Sequence, residues 1–172
     1  MRSSRDPVAT TRSGDLEGYA EWAYSCYAYV SILSHANQQW VSAELAYWGS
    51  GYGMLRARSS SIGGWEQYTF CYDSTNGSWA FYNDANDQFV STEVGYTGSG
   101  QNMLRAQASS IGPLEKCSLY CLGPDLAIQS QANGLYVSTE IGYGGSSYAM
   151  LRARAGSIGP WEQYSIPNLP VC

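Results

Sequence analysis

The chain has 172 residues, enough for one ordinary domain, with 13% charged residues, 14% aromatic residues and a formal charge of −5. Charged residues fall well below the roughly 25% of an average globular protein, and Lys116 is the only lysine, which excludes a basic nucleic-acid-binding surface. A hydrophobic share of 44% argues against disorder, and no apolar run approaches the roughly 18 residues of a membrane span.

Residues 1–23 carry Asp6-Pro7 and Ser13-Gly14 and no strand pattern. They read as a short flexible N-terminal arm, with a helix around Leu16–Trp22 as the alternative. No apolar run follows the basic residues of Met1–Pro7, so no signal peptide is visible. Tyr24–Ser34 reads as the first strand.

The segment Ala36–Glu66 then aligns without gaps to Ala85–Glu115 and to Ala132–Glu162, with 16 of 31 columns identical in all three. Each copy opens on a turn whose residues tolerate positive φ, at Asn37-Gln38, Asn86-Asp87 and Asn133-Gly134. A strand follows, at Trp40–Leu45, Phe89–Val94 and Tyr136–Ile141. Its alternation puts Val41, Ala43 and Leu45 on one face and Trp40, Ser42 and Glu44 on the other. After a Gly/Ser/Tyr loop comes a second strand, at Met54–Arg58, Met103–Gln107 and Met150–Arg154. A Ser-Ile-Gly turn leads to a third, starting near Trp65, Leu114 or Trp161. The spacers supply one more each, such as Trp79–Tyr82 and Leu126–Gln129.

Four short strands per unit in three units are too few for a propeller, and a solenoid would need caps. Closure on a pseudo-threefold axis removes the sheet edges, so the pattern predicts an all-β fold, a β-trefoil, over residues 24–172. Its units are about 24–70, 71–118 and 119–172. Val41, Leu55 and Ile62, with their counterparts, are expected in the core, and Trp65 and Trp161 in the same layer.

The five cysteines are Cys26, Cys71, Cys117, Cys121 and Cys172. Cys117 and Cys121 are spaced C-x3-C with only His35 to assist, which does not make a zinc site; no metal or cofactor is expected. Disulfides in an oxidising, secreted setting are the better reading, a cytoplasmic protein the alternative. The first and last barrel strands meet at closure, so Cys26 with Cys172 is expected, and Cys71 with Cys117 or Cys121. One thiol is left over.

The strings Ala132–Glu140, Met150–Ala155 and Ile158–Tyr164 resemble the fascin-like β-trefoil family, whose units carry an AN-x-[YF]-[LV]-[ST]-A/T-E … L-x-A … G-x-W-E-x-F pattern. The resemblance recurs three times over about 24–172. It implies the trefoil fold. Animal fascins bundle actin through tandem trefoils and a lysine-rich surface, which one trefoil with one lysine does not supply. Bacterial domains of this type look like secreted modules, and carbohydrate binding is the usual inference. A lone trefoil with an arm also resembles adaptor subunits of secreted particles, including antibacterial toxin assemblies.

Glu44 and Arg56, Glu93 and Arg105, and Glu140 and Arg152 lie on adjacent strands of one unit, opposite the core-facing valine. They read as framework ion pairs fixing the loop between them; a charged-ligand contact repeated three times is the alternative. The loops themselves hold Trp48, Tyr52, Tyr96, Asn102, Tyr143 and Tyr148 among Gly and Ser. Rings stack on the C–H face of a sugar while small polar groups bond its hydroxyls. A protein-binding patch has the same composition, and rings folded over the barrel end are the bland alternative. Asn83, Asp84, Asn86 and Asp87 read as turn formers first and ligands second.

Catalysis is not expected. His35 is the only histidine and no Gly-x-Ser-x-Gly occurs, so a nucleophilic triad is unsupported; His35 reads as a surface turn residue. The recurring glutamates read as framework rather than a glycosidase pair. The function expected is a secreted, non-catalytic binding module for a glycan or polysaccharide, or an adaptor joining secreted proteins through residues 1–23.

Overall fold

The structure, a computed structural model, describes residues 24–172. The expected arm, residues 1–23, lies outside the described residues. Thirteen strands among the described residues build the molecule: β1 (Tyr24–Val30), β2 (Leu33–Ser34), β3 (Gln39–Ala43), β4 (Leu55–Ser59), β5 (Tyr68–Asp73), β6 (Ser78–Asn83), β7 (Gln88–Thr92), β8 (Leu104–Ala108), β9 (Cys117–Leu122), β10 (Asp125–Ser130), β11 (Tyr136–Glu140), β12 (Met150–Ala155) and β13 (Tyr164–Ser165).

A barrel closes through β1–β5, β5–β6, β6–β9, β9–β10, β10–β13 and β13–β2, all antiparallel. The hairpins β3/β4, β7/β8 and β11/β12 cap one end. They join one another by single bridges that repeat with the same register: Met54 with Arg105, Met103 with Arg152, Met150 with Arg56. This is a β-trefoil with pseudo-threefold symmetry, and closure leaves the barrel without a free edge.

The repeated residues show why each unit folds the same way. Asn37, Asn86 and Asn133 each accept, through Oδ1, from the backbone N–H two residues on, which shapes the turn. Their Nδ2 atoms donate to the carbonyls of Ala57, Ala106 and Ala153, tying the turn to the hairpin. The next residue takes positive φ in all three: Gln38, Asp87 and Gly134. Glu66, Glu115 and Glu162 each accept from the N–H three residues back, 2.8 Å away, closing a single 3-10 turn.

That turn corrects one expectation. Trp65, Leu114 and Trp161 lie in 3-10 turns rather than starting strands. The capping glutamate, not the ring, faces inward at Glu66 and Glu162, and Leu114 is 36% exposed. Ile62 is also outside the core, at 46% exposure, because the turn before it swings into solvent. Ile111 alone of its column is buried, in a satellite cluster with Cys26, Cys71 and Phe89.

The main core fills the barrel, with Val30, Ile32, Val41, Leu55, Phe70, Phe81, Leu151 and Tyr164 buried. Phe70 stacks on Phe81 with centroids 4.4 Å apart. Tyr68 and Tyr164 are fully buried, and their hydroxyls donate to the carbonyls of Val41 and Val137 at 3.2 Å. Burial pushes both phenols above their ordinary range. The equivalent place in the second unit holds Cys117, buried and unpaired.

The disulfides differ from those expected. Cys26 pairs with Cys71, and Cys121 with Cys172. Cys26 sits directly opposite Cys71 in the β1–β5 ladder. Beyond β13 the C-terminal tail runs to β9 and places Cys172 on Cys121. Closing loops of 45 and 51 residues contributes about 4 kcal/mol each in the chain-entropy view.

Burial pushes the Cys117 thiol up to about 12, so it stays protonated through mildly alkaline pH. Alkylation of the native, unreduced protein at pH 8–9 should label no cysteine, and the same reaction in denaturant should label Cys117 alone. Non-reducing peptide mapping should return the two cross-linked pairs; any other pairing would contradict the ladder.

Candidate functional site

The three loops between hairpin strands meet around the threefold axis, over a cluster of Met54, Met103 and Met150. Tyr47, Tyr96 and Tyr143 pack against it. Each loop turns through a glycine at positive φ, Gly49, Gly98 or Gly145. Each re-enters the second strand through another positive-φ residue, Gly53, Asn102 or Ala149. At Gly53 a Cβ would stand 2.5 Å from the Ala106 carbonyl oxygen, so a side chain there requires the backbone to shift.

The repeated arginine spans two hairpins. Arg56 donates through Nη1 to Glu44 at 3.2 Å and to the Tyr47 hydroxyl at 2.6 Å. Its Nε donates to the Tyr148 carbonyl at 2.9 Å and its Nη2 to that of Gly145 at 3.3 Å, both on the third hairpin. Arg105 repeats this with Glu93 at 3.1 Å, Tyr96, and the carbonyls of Tyr52 and Gly49 on the first hairpin. Arg152 donates to Tyr143 and to the Gln101 carbonyl on the second.

The third expected pair is therefore altered: Glu140 takes both oxygens to Arg154 instead of Arg152. Arg154 stands one alternation further along β12, where it reaches Glu140 with a two-pronged geometry. The first hairpin uses both arginines, with Arg58 on Glu44 at 2.5 and 2.9 Å. The second hairpin has Gln107 at that place and one arginine only. Burial outweighs the single Arg105 contact and raises Glu93 above the ordinary carboxylate range.

The loop rings divide accordingly. Tyr96 and Tyr143 are engaged by arginines, and the Tyr96 hydroxyl donates to the Ser50 carbonyl. Tyr52 and Tyr148 are half-buried, and their hydroxyls accept from the Asn86 and Asn37 amides. Asn102 is a backbone hinge: its N–H donates to the Glu93 carbonyl and its carbonyl accepts from Ala153. Trp48 stands apart at 91% exposure. Beside its loop, Ser50, Gly51, Gly95, Tyr96, Thr97 and Gly100, with Met54 and Met103 at the base, line an open groove of about 470 Å³. No formal charge lines it. The sequence missed the groove because it lies between two loops distant in the chain.

His35 is not a simple surface turn residue. Its Nε2 lies 2.8 Å from Ser165 Oγ and 3.2 Å from Asp125 Oδ1, and Ser165 donates to Asp125 at 2.8 Å. Serine and carboxylate share one ring nitrogen. A nucleophilic triad places them on opposite nitrogens, so this cluster does not activate the hydroxyl. Among the described residues no three His, Cys, Asp or Glu side chains come together as a metal site.

No protein-family model matches the chain, and no curated protein matches it in sequence. Solved structures match its fold. The designed threefold-symmetric protein ThreeFoil gives a TM-score of 0.66 at 19% identity, over 80% of this chain and 96% of that one. The ricin B-like lectin of Macrolepiota procera, in complex with lactose, gives 0.58 at 12% identity over 80% and 92%. A mosquitocidal holotoxin gives 0.66 at 12% identity, over 80% of this chain and 16% of the toxin. At these identities the likeness establishes the β-trefoil fold.

The missing second arginine makes a test. Glu93 has a raised pKa, so the folded state holds its proton more tightly than the unfolded chain. Its contribution to stability is full below the ordinary carboxylate pKa and is lost as pH rises through the raised value. Gln107→Arg should supply the missing partner, stabilise the protein at pH 7 by about 1 kcal/mol, roughly 2–4 °C, and flatten that pH slope. Thermal unfolding from pH 4 to 7 reads both effects.

Proposed function

We propose that the protein is a secreted, non-catalytic, lectin-like module of the fascin-like type that binds neutral carbohydrate through the loop face of its cap. The observation that carries this reading is Trp48, 91% exposed with no packing role, beside an uncharged groove of glycine, serine, threonine and tyrosine. A ring offers its face to sugar C–H groups, and loop amides and hydroxyls bond the sugar's oxygens. Tyr52, Tyr96, Asn102, Tyr143 and Tyr148 then serve as the wall that positions the loops rather than as first contacts. The two disulfides support an extracellular setting. The lactose complex of the Macrolepiota procera lectin supports the ligand class.

A second reading is an adaptor that joins other secreted proteins through residues 1–23. It is supported by the length of chain before β1 and by the holotoxin, in which a trefoil is one part of a larger chain.

Trp48→Ala should abolish retention on insoluble polysaccharides and on a glycan array while leaving the melting temperature within a degree or two, since nothing packs on that ring. Full retention by the variant would remove the loop face from the binding site. Loss of co-purifying proteins on deletion of residues 1–23, with no glycan signal, would favour the adaptor.

A further inference from the structure

The chain has four methionines: Met1, and one at the head of the second strand of each hairpin, Met54, Met103 and Met150. Every methionine among the described residues therefore stands in one repeated column. The fold brings the three together. Each pairs by a single antiparallel bridge with an arginine of a neighbouring hairpin, Met54 with Arg105, Met103 with Arg152 and Met150 with Arg56. Those bridges set the three backbones around the pseudo-threefold axis, and the side chains form a cluster of their own, apart from the barrel core. They are buried, at 7%, 4% and 1% exposure.

An apolar plug does not require methionine there. The next column is leucine in all three copies, Leu55, Leu104 and Leu151, and those side chains fill the barrel core. What methionine adds to leucine's bulk is a polarizable thioether sulfur with acceptor capacity. Three of them, from three hairpins related by the axis, make a neutral donor set of trigonal symmetry. Calcium and magnesium take oxygen ligands and are a poor match to it. Soft thioether donors select Cu(I). The surroundings fit. Tyr47, Tyr96 and Tyr143 pack against the methionines and wall the cluster. Their hydroxyls are held by Arg56, Arg105 and Arg152, so the rings are fixed in advance. Arg56 and Arg105 are paired with Glu44 and Glu93, and Arg152 lies over the Tyr143 ring, so one added charge is better tolerated than two. Met54 and Met103 form the base of the open groove between the first two loops, which gives an ion its way in from solvent.

We infer that Met54, Met103 and Met150 form a site for one Cu(I) ion on the pseudo-threefold axis. The inference goes beyond the carbohydrate reading and does not depend on it. The ion ties the three hairpins together at the point where single backbone bridges join them. Binding to the folded state alone stabilises the cap.

The test follows the methionine methyl resonances of the full chain as Cu(I) is added without oxygen, and as Ag(I), its air-stable stand-in, is added in a parallel run. The methyls of Met54, Met103 and Met150 should move together and stop moving at one equivalent, with Met1 as the reference in the same spectrum. Calcium, magnesium and zinc should move none of them. The bound ion should raise the melting temperature. Met150→Leu keeps the side-chain volume and lies outside the groove lining. It should weaken binding by roughly tenfold or more, since loss of even an outer partner of a metal ligand costs that much. Met54→Leu is the second variant should Met150→Leu misfold. The inference is overturned if no methionine methyl moves, if only one moves, if zinc moves them as far as Ag(I) does, or if both leucine variants bind as tightly as the parent chain. Silver taken up without methyl shifts, and lost in Cys117→Ala, would put the ion on the buried thiol and overturn it too. Polysaccharide retention plays no part in this readout, so the loop-face reading and the axis site can fail separately.

Discussion

Three guanidinium groups, those of Arg56, Arg105 and Arg152, hold the hairpins of the cap to one another. Each donates to groups of its own hairpin and to backbone carbonyls of a neighbour. Only single bridges join these hairpins through their backbones. The side-chain bonds therefore do much of the work that a continuous ladder does elsewhere. A planar fork with five donors can serve a carboxylate or phenol and a carbonyl at once, which lysine cannot. This geometry accounts for the arginine column that recurs unchanged in all three copies.

The same constraint decides which loop rings carry framework bonds and which do not. Tyr96 and Tyr143 stand in a column chosen by the arginine, so their hydroxyls belong to the framework. Trp48 occupies a column that reads Thr97 and Gly144 in the other copies and carries no framework duty. Recognition by a symmetric scaffold falls naturally to positions where the copies differ. One repeated place on the barrel wall also differs between the copies, with aspartate, glutamine and histidine in turn.

Symmetry is also broken inside. Tyr68 and Tyr164 fill their places with a ring and a bonded hydroxyl, while Cys117 is far smaller. Phe81 supplies bulk nearby, stacked on Phe70, where the other units carry Ile32 and Ile128. A larger ring at one place beside a smaller side chain at another is how a close-packed core accommodates unequal copies. The hydroxyls of Ser42, Ser91 and Ser138 form another repeated set, buried with no protein partner. Each stands opposite the repeated arginine of its hairpin, Arg56, Arg105 or Arg152.

Much of this was legible in the chain, because a triplicated pattern supplies its own alignment. The copies, their turns at Asn37, Asn86 and Asn133, the hairpin strands and closure into a trefoil all follow from local spacing and period-two alternation. The roles of Glu44 and Glu93 with their arginines also follow, since register places those side chains on one face. Three things did not. The partner of Glu140 depended on which of two arginines on one face reached it. Cys26 found Cys71 rather than Cys172 because the β1–β5 register sets the two opposite each other while the tail carries Cys172 to β9. The odd thiol reads as a core residue only when the alignment is carried two residues past Glu66, Glu115 and Glu162. The sequence by itself determined the repeat, and with it the fold and the low-charge, ring-rich composition. Only the tertiary structure decided which rings face solvent, because bonds between hairpins, spanning 51 to 92 residues of chain, settle that, and no local pattern encodes them.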